Sequence, residues 1–381
     1  MKTSKKVIAI CVLLVLCVSL LFACNKKKDR QPTSLENASI QHELEFGGVY
    51  VLKTIDEFNA LGYEYGDSVD VTFSNGYEIK DIPYYNGYYT QNGEKLLVAY
   101  PGYPYIKVGI NNGDDLYTVA QLSETDTATI TINTLGKYKD IQDARDLHYY
   151  DDRSKYDSDR QFANFRSVNA GNIKPYTLFR SASPCDNQHN RASTVDHLIE
   201  SVQMNYILDL ADDKDKIDGY IAQSDFNSPY FKLLYDVDNV VPIALNMNYS
   251  SDAFKQKLVG GLRAITVSGG PYLVHCTEGK DRTGFVCMLL EALCGATYQE
   301  IVDDYMITYD NYYGIKKGDS RYQIIVDSLL DPMIKSVVND NSVDYKTVDL
   351  TDYAKNWLIS GYMSEHDINT LIDILTEPIV V

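Results

Sequence analysis

The chain of 381 residues carries successive patterns of apolar and polar positions that differ from one another. Residues 7–22 form an apolar run that follows three lysines. Between about residues 42 and 137, short segments such as 69–73 and 128–132 alternate apolar and polar side chains, and Asn-Gly pairs separate many of them. Alternation of period two predicts half-buried strands, and Asn-Gly is typical of hairpin turns. We therefore predict a small antiparallel β domain over residues 42–137.

From residue 161 to the end at 381, the pattern predicts an α/β domain. Three apolar segments predict strands, near residues 206–210, 231–235 and 272–275. Amphipathic segments predict helices near residues 192–203, 251–265 and 282–293, and a last helix over 364–375 with Ser364 as its N-cap. Residues 138–160 are charged and contain several tyrosines, and we predict that they link the two domains.

The apolar run at the N-terminus predicts a targeting segment. It ends in Leu-Phe-Ala-Cys at residues 21–24, which resembles the cleavage site of a bacterial lipoprotein signal. In this interpretation residues 1–24 are the signal peptide, Cys24 carries the lipid, and the polar residues 25–41 are a tether. The alternative is an uncleaved membrane helix, for which sixteen apolar residues are short against about 30 Å of hydrocarbon. We expect a protein that is exported and lipid-anchored to the outer face of the bacterial cytoplasmic membrane.

The net charge limits the partners. It is −18 overall, but residues 1–30 hold seven basic and one acidic side chain, so the remainder carries −24. Such a body excludes binding to the phosphates of nucleic acid. Any anionic ligand must therefore be attracted by local positive potential.

The strongest chemical signal lies in residues 275–284, His-Cys-Thr-Glu-Gly-Lys-Asp-Arg-Thr-Gly, between a predicted strand and a predicted helix. Backbone N–H groups from Thr277 to Arg282 can point at one anion, and the positive end of the helix adds to them. Arg282 can hold two phosphate oxygens with its guanidinium fork. The same positive charges favour the thiolate of Cys276, which is a nucleophile for phosphorus. Thr283 can donate its hydroxyl to the sulfur when the sulfur leaves.

This loop resembles that of the atypical bacterial protein tyrosine phosphatases, a group within the cysteine-phosphatase superfamily. All eight specified positions of their pattern His-Cys-x-x-Gly-Lys-Asp-Arg-Thr-Gly are present. Further likeness lies in residues 164–166, 178–184, 206–210 and 300–306, and the whole covers about residues 161–375. One departure is Ser-Val-Asn-Ala-Gly at residues 167–171, where the family often has Asp and paired glycines. The resemblance implies a cysteine-phosphatase fold, with a central sheet flanked by helices, and no requirement for a metal or another cofactor.

Dephosphorylation needs a proton donor for the leaving oxygen, and two aspartates compete for this role. Asp281 lies inside the loop, and the resemblance assigns the matching aspartate to the donor role. Asp209 follows the predicted strand at residues 206–210 and is the second candidate. Each also has a structural interpretation: Asp281 as a helix cap and Asp209 as a residue that shapes its loop. His275 is expected to orient the loop without exchanging protons.

The sequence leaves the roles of three further sets of side chains open. Lys280 either contacts a second phosphate or an inositol ring, or is solvated at the helix start. Arg166 and Arg180 either brace the phosphate loop or pair with surface carboxylates. Cys185 could form a protective disulfide with Cys276, although four cysteines in the folded part are not a disulfide framework.

Residues 62–113 of the β domain resemble the C-terminal β-barrel of the S-adenosylmethionine hydroxide adenosyltransferase family, without the companion domain that carries that family's chemistry. The resemblance implies a barrel with a binding or spacing role. Seven tyrosines between Tyr84 and Tyr105 suit either a surface for sugars or wall polymers, or the closure of a small core.

The sequence therefore predicts an exported phosphomonoester hydrolase that acts through a cysteinyl-phosphate. We expect Cys276 as nucleophile, residues 277–282 as the phosphate-binding loop, and phosphotyrosine, phosphoserine or phosphothreonine in proteins as substrates, with phosphoinositides as a further class through Lys280. The alternative is a catalytically weak phosphate-binding or adhesion lipoprotein. An enzyme for soluble inositol phosphates is a third hypothesis and needs a more basic pocket.

Overall fold

The computed structural model describes residues 30–376. The predicted lipoprotein signal and Cys24 lie outside the described residues and stay predictions. The chain divides into two compact units, one up to residue 142 and one from residue 143 onward. Among residues 30–376, no helix is both long and apolar enough to cross a membrane.

The first unit is a closed barrel of seven strands in the order β1-β2-β6-β5-β4-β3-β7. The strands are β1 (Leu35–His42), β2 (Val49–Val51), β3 (Ser68–Phe73), β4 (Glu78–Tyr85), β5 (Lys95–Val98), β6 (Ile106–Ile110) and β7 (Thr127–Thr134), with the short helices α1 (Ile55–Asn59) and α2 (Leu116–Val119). All neighbours are antiparallel except β4 and β5. The predicted barrel is confirmed, with this one parallel pair as a correction.

The predicted start of the barrel is wrong. Residues 25–41 were expected to be a tether, but β1 occupies most of their second half and pairs with both β2 and β7. Without β1 the sheet would keep two open edges, which is why the barrel needs these residues. Only Leu35 and Ile40 of β1 are buried. The sequence of this strand therefore lacks the alternation of apolar and polar residues by which a strand is predicted.

The barrel interior is filled with apolar side chains, which include Val49, Val71 and Val108. Tyr84 and Tyr85 are completely buried, and only Tyr100 is strongly exposed among the tyrosines between Tyr84 and Tyr105. For Tyr84 and Tyr85, core packing is therefore the correct interpretation.

The second unit is built on a five-stranded sheet in the order β11-β10-β12-β9-β8. Its strands are β8 (Arg166–Ser167), β9 (Leu178–Ser181), β10 (Tyr206–Asp209), β11 (Val240–Pro242) and β12 (Tyr272–His275). The last four strands are parallel, and β8 is antiparallel to β9 at the edge. The carboxyl ends of the four parallel strands therefore meet at one edge of the sheet, where ligands of α/β folds usually bind.

The remaining helices of the chain begin at residue 139, and most of them pack on the two faces of this sheet. They are α3 (Lys139–Arg145), α4 (Asp159–Phe162), α5 (Ala192–Ser201), α6 (Lys214–Ile221), α7 (Pro229–Asp236), α8 (Asp252–Thr266), α9 (Asp281–Leu293), α10 (Tyr298–Tyr313), α11 (Ser320–Ile325), a π-helical turn (Val326–Leu330), α12 (Asp331–Val338), α13 (Thr351–Ser360) and α14 (Glu365–Thr376), with a 3-10 turn at Arg153–Lys155. Ile207 and Leu273 pack under α5, α6 and α7, whereas Leu208 and Val274 pack under α8, α9 and α10. The alternation along each strand thus builds two cores, one on each face.

The predicted α/β architecture is confirmed, with two local corrections. The segment 231–235 is part of helix α7, because Ser228 and Pro229 begin a helix and Phe231 and Leu234 then bury one face. The predicted linker, residues 138–160, is largely packed: Tyr138 lies against Tyr85 in the first unit, and Tyr149 and Tyr156 pack in the second.

Candidate active site

The loop between β12 and α9 takes its shape from Gly279. This residue has φ +67°, a left-handed conformation that side chains other than glycine rarely adopt. A Cβ atom at this position would lie 2.2 Å from the carbonyl oxygen of Ser181 at the end of β9. The loop can therefore approach β9 this closely only with glycine here.

The carbonyl oxygens of the loop are held from outside. Arg180 Nη2 donates to the Gly279 carbonyl at 3.0 Å, and Asn164 Nδ2 donates to the same oxygen at 3.2 Å. The Tyr312 hydroxyl donates to the Glu278 carbonyl at 2.7 Å, and the Ser183 N–H donates to the Thr277 carbonyl at 3.1 Å. With these carbonyls fixed outward, the N–H groups of the loop are available to an anion at its centre.

Two buried arginines fix this brace. Arg180 Nη1 donates to Asp304 Oδ2 at 2.6 Å, and Arg166 Nε donates to Asp304 Oδ1 at 3.0 Å. Although burial opposes ionisation, the two guanidinium groups hold the pKa of Asp304 far below its usual value. Arg166 and Arg180 thus belong to the support of the loop, and the alternative that they pair with surface carboxylates is wrong.

A cavity of about 290 Å³ opens over the loop. Its lining residues come from two loops at the carboxyl edge of the sheet: Leu245, Asn246, Met247, Cys276, Thr277, Glu278, Asp281 and Arg282. Larger clefts, of about 460 and 400 Å³, are lined by residues of the helical region and contain no cysteine. The smaller cavity is the candidate active site because it alone among these three combines a thiol with a guanidinium group.

Cys276 lies at the floor of this cavity, with 3% of its surface exposed. Arg282 Nη2 donates to Thr277 Oγ1 at 3.2 Å, and its Nη1 donates to the Leu245 carbonyl at 3.3 Å. These two contacts hold the guanidinium group between the two loops. Thr283 is fully buried, and within residues 30–376 its hydroxyl has no hydrogen-bond partner, so it is free to donate to a sulfur.

Only some of the predicted site residues line the cavity. Thr277, Glu278, Asp281 and Arg282 line the cavity, whereas Gly279 and Lys280 are absent from its lining. Lys280 Nζ lies 2.9 Å from Glu278 Oε2 and 3.4 Å from the Tyr313 hydroxyl. Burial opposes the charge of Lys280, but Asp281 and Glu278 outweigh it and raise its pKa well above the usual value. The ammonium group is therefore engaged by protein groups.

Asp209 lies behind the loop, completely buried at the end of β10. Its Oδ1 accepts the N–H groups of Ala211 and Asp212 at 2.8 and 3.2 Å. Its Oδ2 lies 3.8 Å from Nε2 of His275, and neither atom has a hydrogen-bond partner in the described part of the chain. Burial lowers the pKa of His275 to about 4, which keeps this imidazole neutral near pH 7.

Asp209 and Asp212 form a buried carboxyl pair. Burial raises the pKa of each to about 6, and the charge of Asp209 adds to the shift at Asp212. One oxygen of each, with the thiol of Cys185, forms a set whose atoms lie within 4.8 Å of one another, and these groups could hold a metal ion.

Cys185 and Cys276 are both free thiols. The Cys185 sulfur lies 3.4 Å from Ser183 Oγ, and burial raises its pKa well above the usual value, which disfavours its thiolate. A disulfide between these two cysteines stays a prediction.

Sequence reasoning missed the second wall of the cavity. Leu245, Asn246 and Met247 follow β11 and form this wall. Their position after a strand of a parallel sheet is a usable signal, but the apolar pattern predicts that strand at residues 231–235 instead. Asn164 and Tyr312, which hold the loop, carry no local signal for that role.

The fold and the cavity define a class: a phosphatase whose cysteine and arginine stand in a loop between a strand and a helix. Residues 159–338 match the model of the tyrosine phosphatase family. This part of the chain is therefore similar to that family, and the protein is a protein tyrosine/dual-specificity phosphatase.

Two solved structures illustrate the likeness. The core catalytic domain of the PP-IP phosphatase SIW14 from S. cerevisiae is 20% identical, with a TM-score of 0.27, over 47% of this chain and 93% of that chain. TpbA from P. aeruginosa, in complex with pTyr, is 16% identical, with a TM-score of 0.28, over 52% of this chain and 96% of that chain. No protein of curated function matches the chain in sequence.

The carboxyl pair predicts a pH-dependent stability. Because the pKa of Asp209 is about 6 in the folded state and about 3.9 in the unfolded state, its contribution is fully present below about pH 4 and is lost as the pH rises through 6. We expect the stability of Asp209→Asn relative to the native protein to increase by about 1–2 kcal/mol between pH 4.5 and pH 7.5. Urea unfolding at both pH values measures this difference. An equal pH dependence in the two proteins would contradict it.

Proposed function

We propose that this phosphatase hydrolyses phosphomonoesters through a cysteinyl-phosphate on Cys276. The substrates are phosphotyrosine, phosphoserine and phosphothreonine in proteins, with phosphoinositides ranked below them. The observation that carries the proposal is that Cys276 lines one cavity together with Arg282 and Asp281. A thiolate there faces any phosphate that the guanidinium group and the loop N–H groups bind.

In the first step, the Cys276 thiolate attacks phosphorus and the bond between phosphorus and the ester oxygen breaks. Asp281 gives its proton to the leaving oxygen, which departs as an alcohol or phenol. Arg282 and the loop N–H groups stabilise the charge on the remaining phosphate oxygens. Asp281 is favoured over Asp209 because Asp281 lines the cavity and Asp209 is enclosed behind it.

In the second step, water attacks the phosphorus of the cysteinyl-phosphate and gives a proton to the Asp281 carboxylate. The bond between phosphorus and sulfur breaks, and inorganic phosphate leaves. The Thr283 hydroxyl, which has no other partner among the described residues, donates to the departing thiolate. The cycle returns both Cys276 and Asp281 to their starting states and uses no metal.

The walls of the cavity support the ranking of substrates. Leu245 and Met247 offer apolar surface to the body of a substrate, whereas Glu278 and Asp281 place two carboxyl groups at the rim. A second phosphate beside the first would meet these carboxyl groups. Lys280 offers little compensation, because its ammonium group is held by Glu278.

Removal of the nucleophile tests the mechanism. We expect residues 25–381 to release phosphate from an aryl phosphate in the presence of a metal chelator, and Cys276→Ser to reduce the rate by about a thousandfold or more. If both proteins are inert but still bind inorganic phosphate, the chain is a phosphate-binding or adhesion lipoprotein instead.

Two matched variants test the proton donor. Asp281→Asn should lower kcat for phenyl phosphate about a hundredfold and abolish the basic limb of its pH profile, because the phenolate of this substrate needs a proton to leave. With p-nitrophenyl phosphate, whose leaving group is stable as an anion, the loss should be much smaller. Asp209→Asn serves as the comparison, and a larger loss in that variant would transfer the role to Asp209.

We also propose that the protein is exported and bound to the outer face of the bacterial cytoplasmic membrane through an acylated Cys24. The support is the sequence: a lysine-flanked apolar run that ends in Ala-Cys, followed by a few polar residues before Arg30, whose side chain is bonded to Asp67 of the barrel.

Substitution of the anchor tests this location. In a bacterial host, the native chain should be recovered with membranes and should incorporate labelled palmitate. Cys24→Ser should lose the label. A native chain without label would contradict lipid attachment.

A further inference from the structure

The segment of residues 146–156 lies before the family match and was expected to be linker, yet it reaches the phosphate loop. The Tyr149 hydroxyl donates to Glu278 Oε1 at 2.9 Å. The other oxygen of Glu278 lies 2.9 Å from Lys280 Nζ. The carboxylate of Glu278 is thus held from both sides, on one side by a residue outside the family region.

The segment is fixed to the second unit by the buried side chain of Arg191. This guanidinium group donates to the Tyr150 carbonyl at 2.9 Å and to Asp151 Oδ1 at 3.0 Å. It also donates to the Phe162 carbonyl at 2.9 Å and lies 4.8 Å from the centre of the Tyr149 ring. Arg191 therefore fixes both the backbone of the segment and the ring of Tyr149.

The ring of Tyr149 also packs on helix α10. It is stacked on Tyr312 with ring centres 5.1 Å apart, and Tyr312 donates its own hydroxyl to the Glu278 carbonyl. Burial and the charge of Glu278 raise the pKa of Tyr149 well above its usual value, so the phenol keeps its proton. Tyr149 is thus a fixed donor to one side chain of the phosphate loop.

The charge of Glu278 explains why its position matters. Glu278 lines the cavity, and although burial opposes ionisation, Lys280 and Tyr149 lower its pKa and keep it ionised. An ionised carboxylate beside a phosphate dianion repels it and can also take Arg282 as a partner in its place. Holding Glu278 against Tyr149 and Lys280 keeps Arg282 and the loop N–H groups free.

We propose that Tyr149 is a positioning residue for the phosphate site: it holds the Glu278 carboxylate away from the bound phosphate. The inference rests on the proposed function, because it assumes that phosphate binds over Cys276. The consequence is the same for every phosphomonoester substrate. Loss of Tyr149 weakens the binding of the phosphate group itself, whatever alcohol or phenol carries it.

The test is a cycle of variants read out by the affinity for inorganic phosphate, measured by calorimetry. Tyr149→Phe keeps the ring but removes the donor, and we expect the Kd to rise about tenfold, the effect of one hydrogen bond to a charged group. In the Glu278→Gln background, where no charge has to be restrained, Tyr149→Phe should change the Kd by less than about twofold. KM for an aryl phosphate should follow the Kd, and kcat should change little.

Two further variants complete the test: one is a matched control, and the other replaces Tyr149→Phe if that variant does not fold. Tyr150→Phe is the matched control, since Tyr150 is 64% exposed and its contact with Arg191 uses the backbone carbonyl. Its Kd should equal that of the native protein. Should Tyr149→Phe fail to fold, Asp151→Asn, which weakens the hold of Arg191 on the segment, should raise the Kd about threefold, again only when Glu278 is charged.

The experiment distinguishes failure of the role of Tyr149 from failure of the proposed phosphatase function. An equal rise of the Kd in the native and Glu278→Gln backgrounds would give Tyr149 a merely structural role and overturn the inference, as would an unchanged Kd in Tyr149→Phe. Phosphate binding needs no turnover, so a native protein that binds phosphate but hydrolyses no ester would overturn the proposed function and leave the inference standing.

Discussion

The close contact between Gly279 and the end of β9 is the constraint on which the active site depends. A Cβ atom at this position would lie 2.2 Å from the Ser181 carbonyl oxygen, and the φ of +67° is one that glycine accepts without strain. The contact brings the Gly279 carbonyl to Arg180 and Asn164, and Arg180 in turn is held by Asp304. Because the carbonyls of the loop are occupied on the outside, its N–H groups are left for a phosphate. Phosphate binding at this site therefore depends on backbone N–H groups, and the buried ion pairs keep the backbone in place.

Charge is arranged around this loop in two layers. Behind it, His275 is neutral and Asp209 and Asp212 have pKa values of about 6, since burial disfavours every isolated charge. At its rim, the carboxylate of Glu278 is ionised but restrained by Lys280 and Tyr149. Arg282 is the guanidinium group in the lining of the cavity. This arrangement lets an acidic protein present a local positive site to an anion.

The sequence predicted much of the fold, because the parallel strands and central helices are long apolar signals. Strands β10 and β12 and helices α5, α8, α9 and α14 lie within two residues of their predicted bounds. Failures occurred where the local pattern is weak or ambiguous. Strand β1 buries only two apolar side chains, and the segment 231–235 is a short apolar run that suits a strand as well as the helix that Pro229 begins. Residues 146–156 look like a linker because their partners, Arg191 and Tyr312, are distant in sequence.

By itself, the sequence determined the chemistry of the loop: the spacing of Cys276 and Arg282, and the glycine between them, place a thiol and a guanidinium group on one short turn between a strand and a helix. Only the tertiary structure decided which other residues meet that loop. The sequence offers Asp281 as the first candidate for the proton donor and Asp209 as the second, and the structure shows that Asp281 lines the cavity whereas Asp209 is enclosed behind it. Lys280 faces Glu278, and Tyr149 reaches the same carboxylate from 129 residues away. Contacts between distant segments depend on how the strands are ordered in the sheet, and no local pattern of side chains encodes that order.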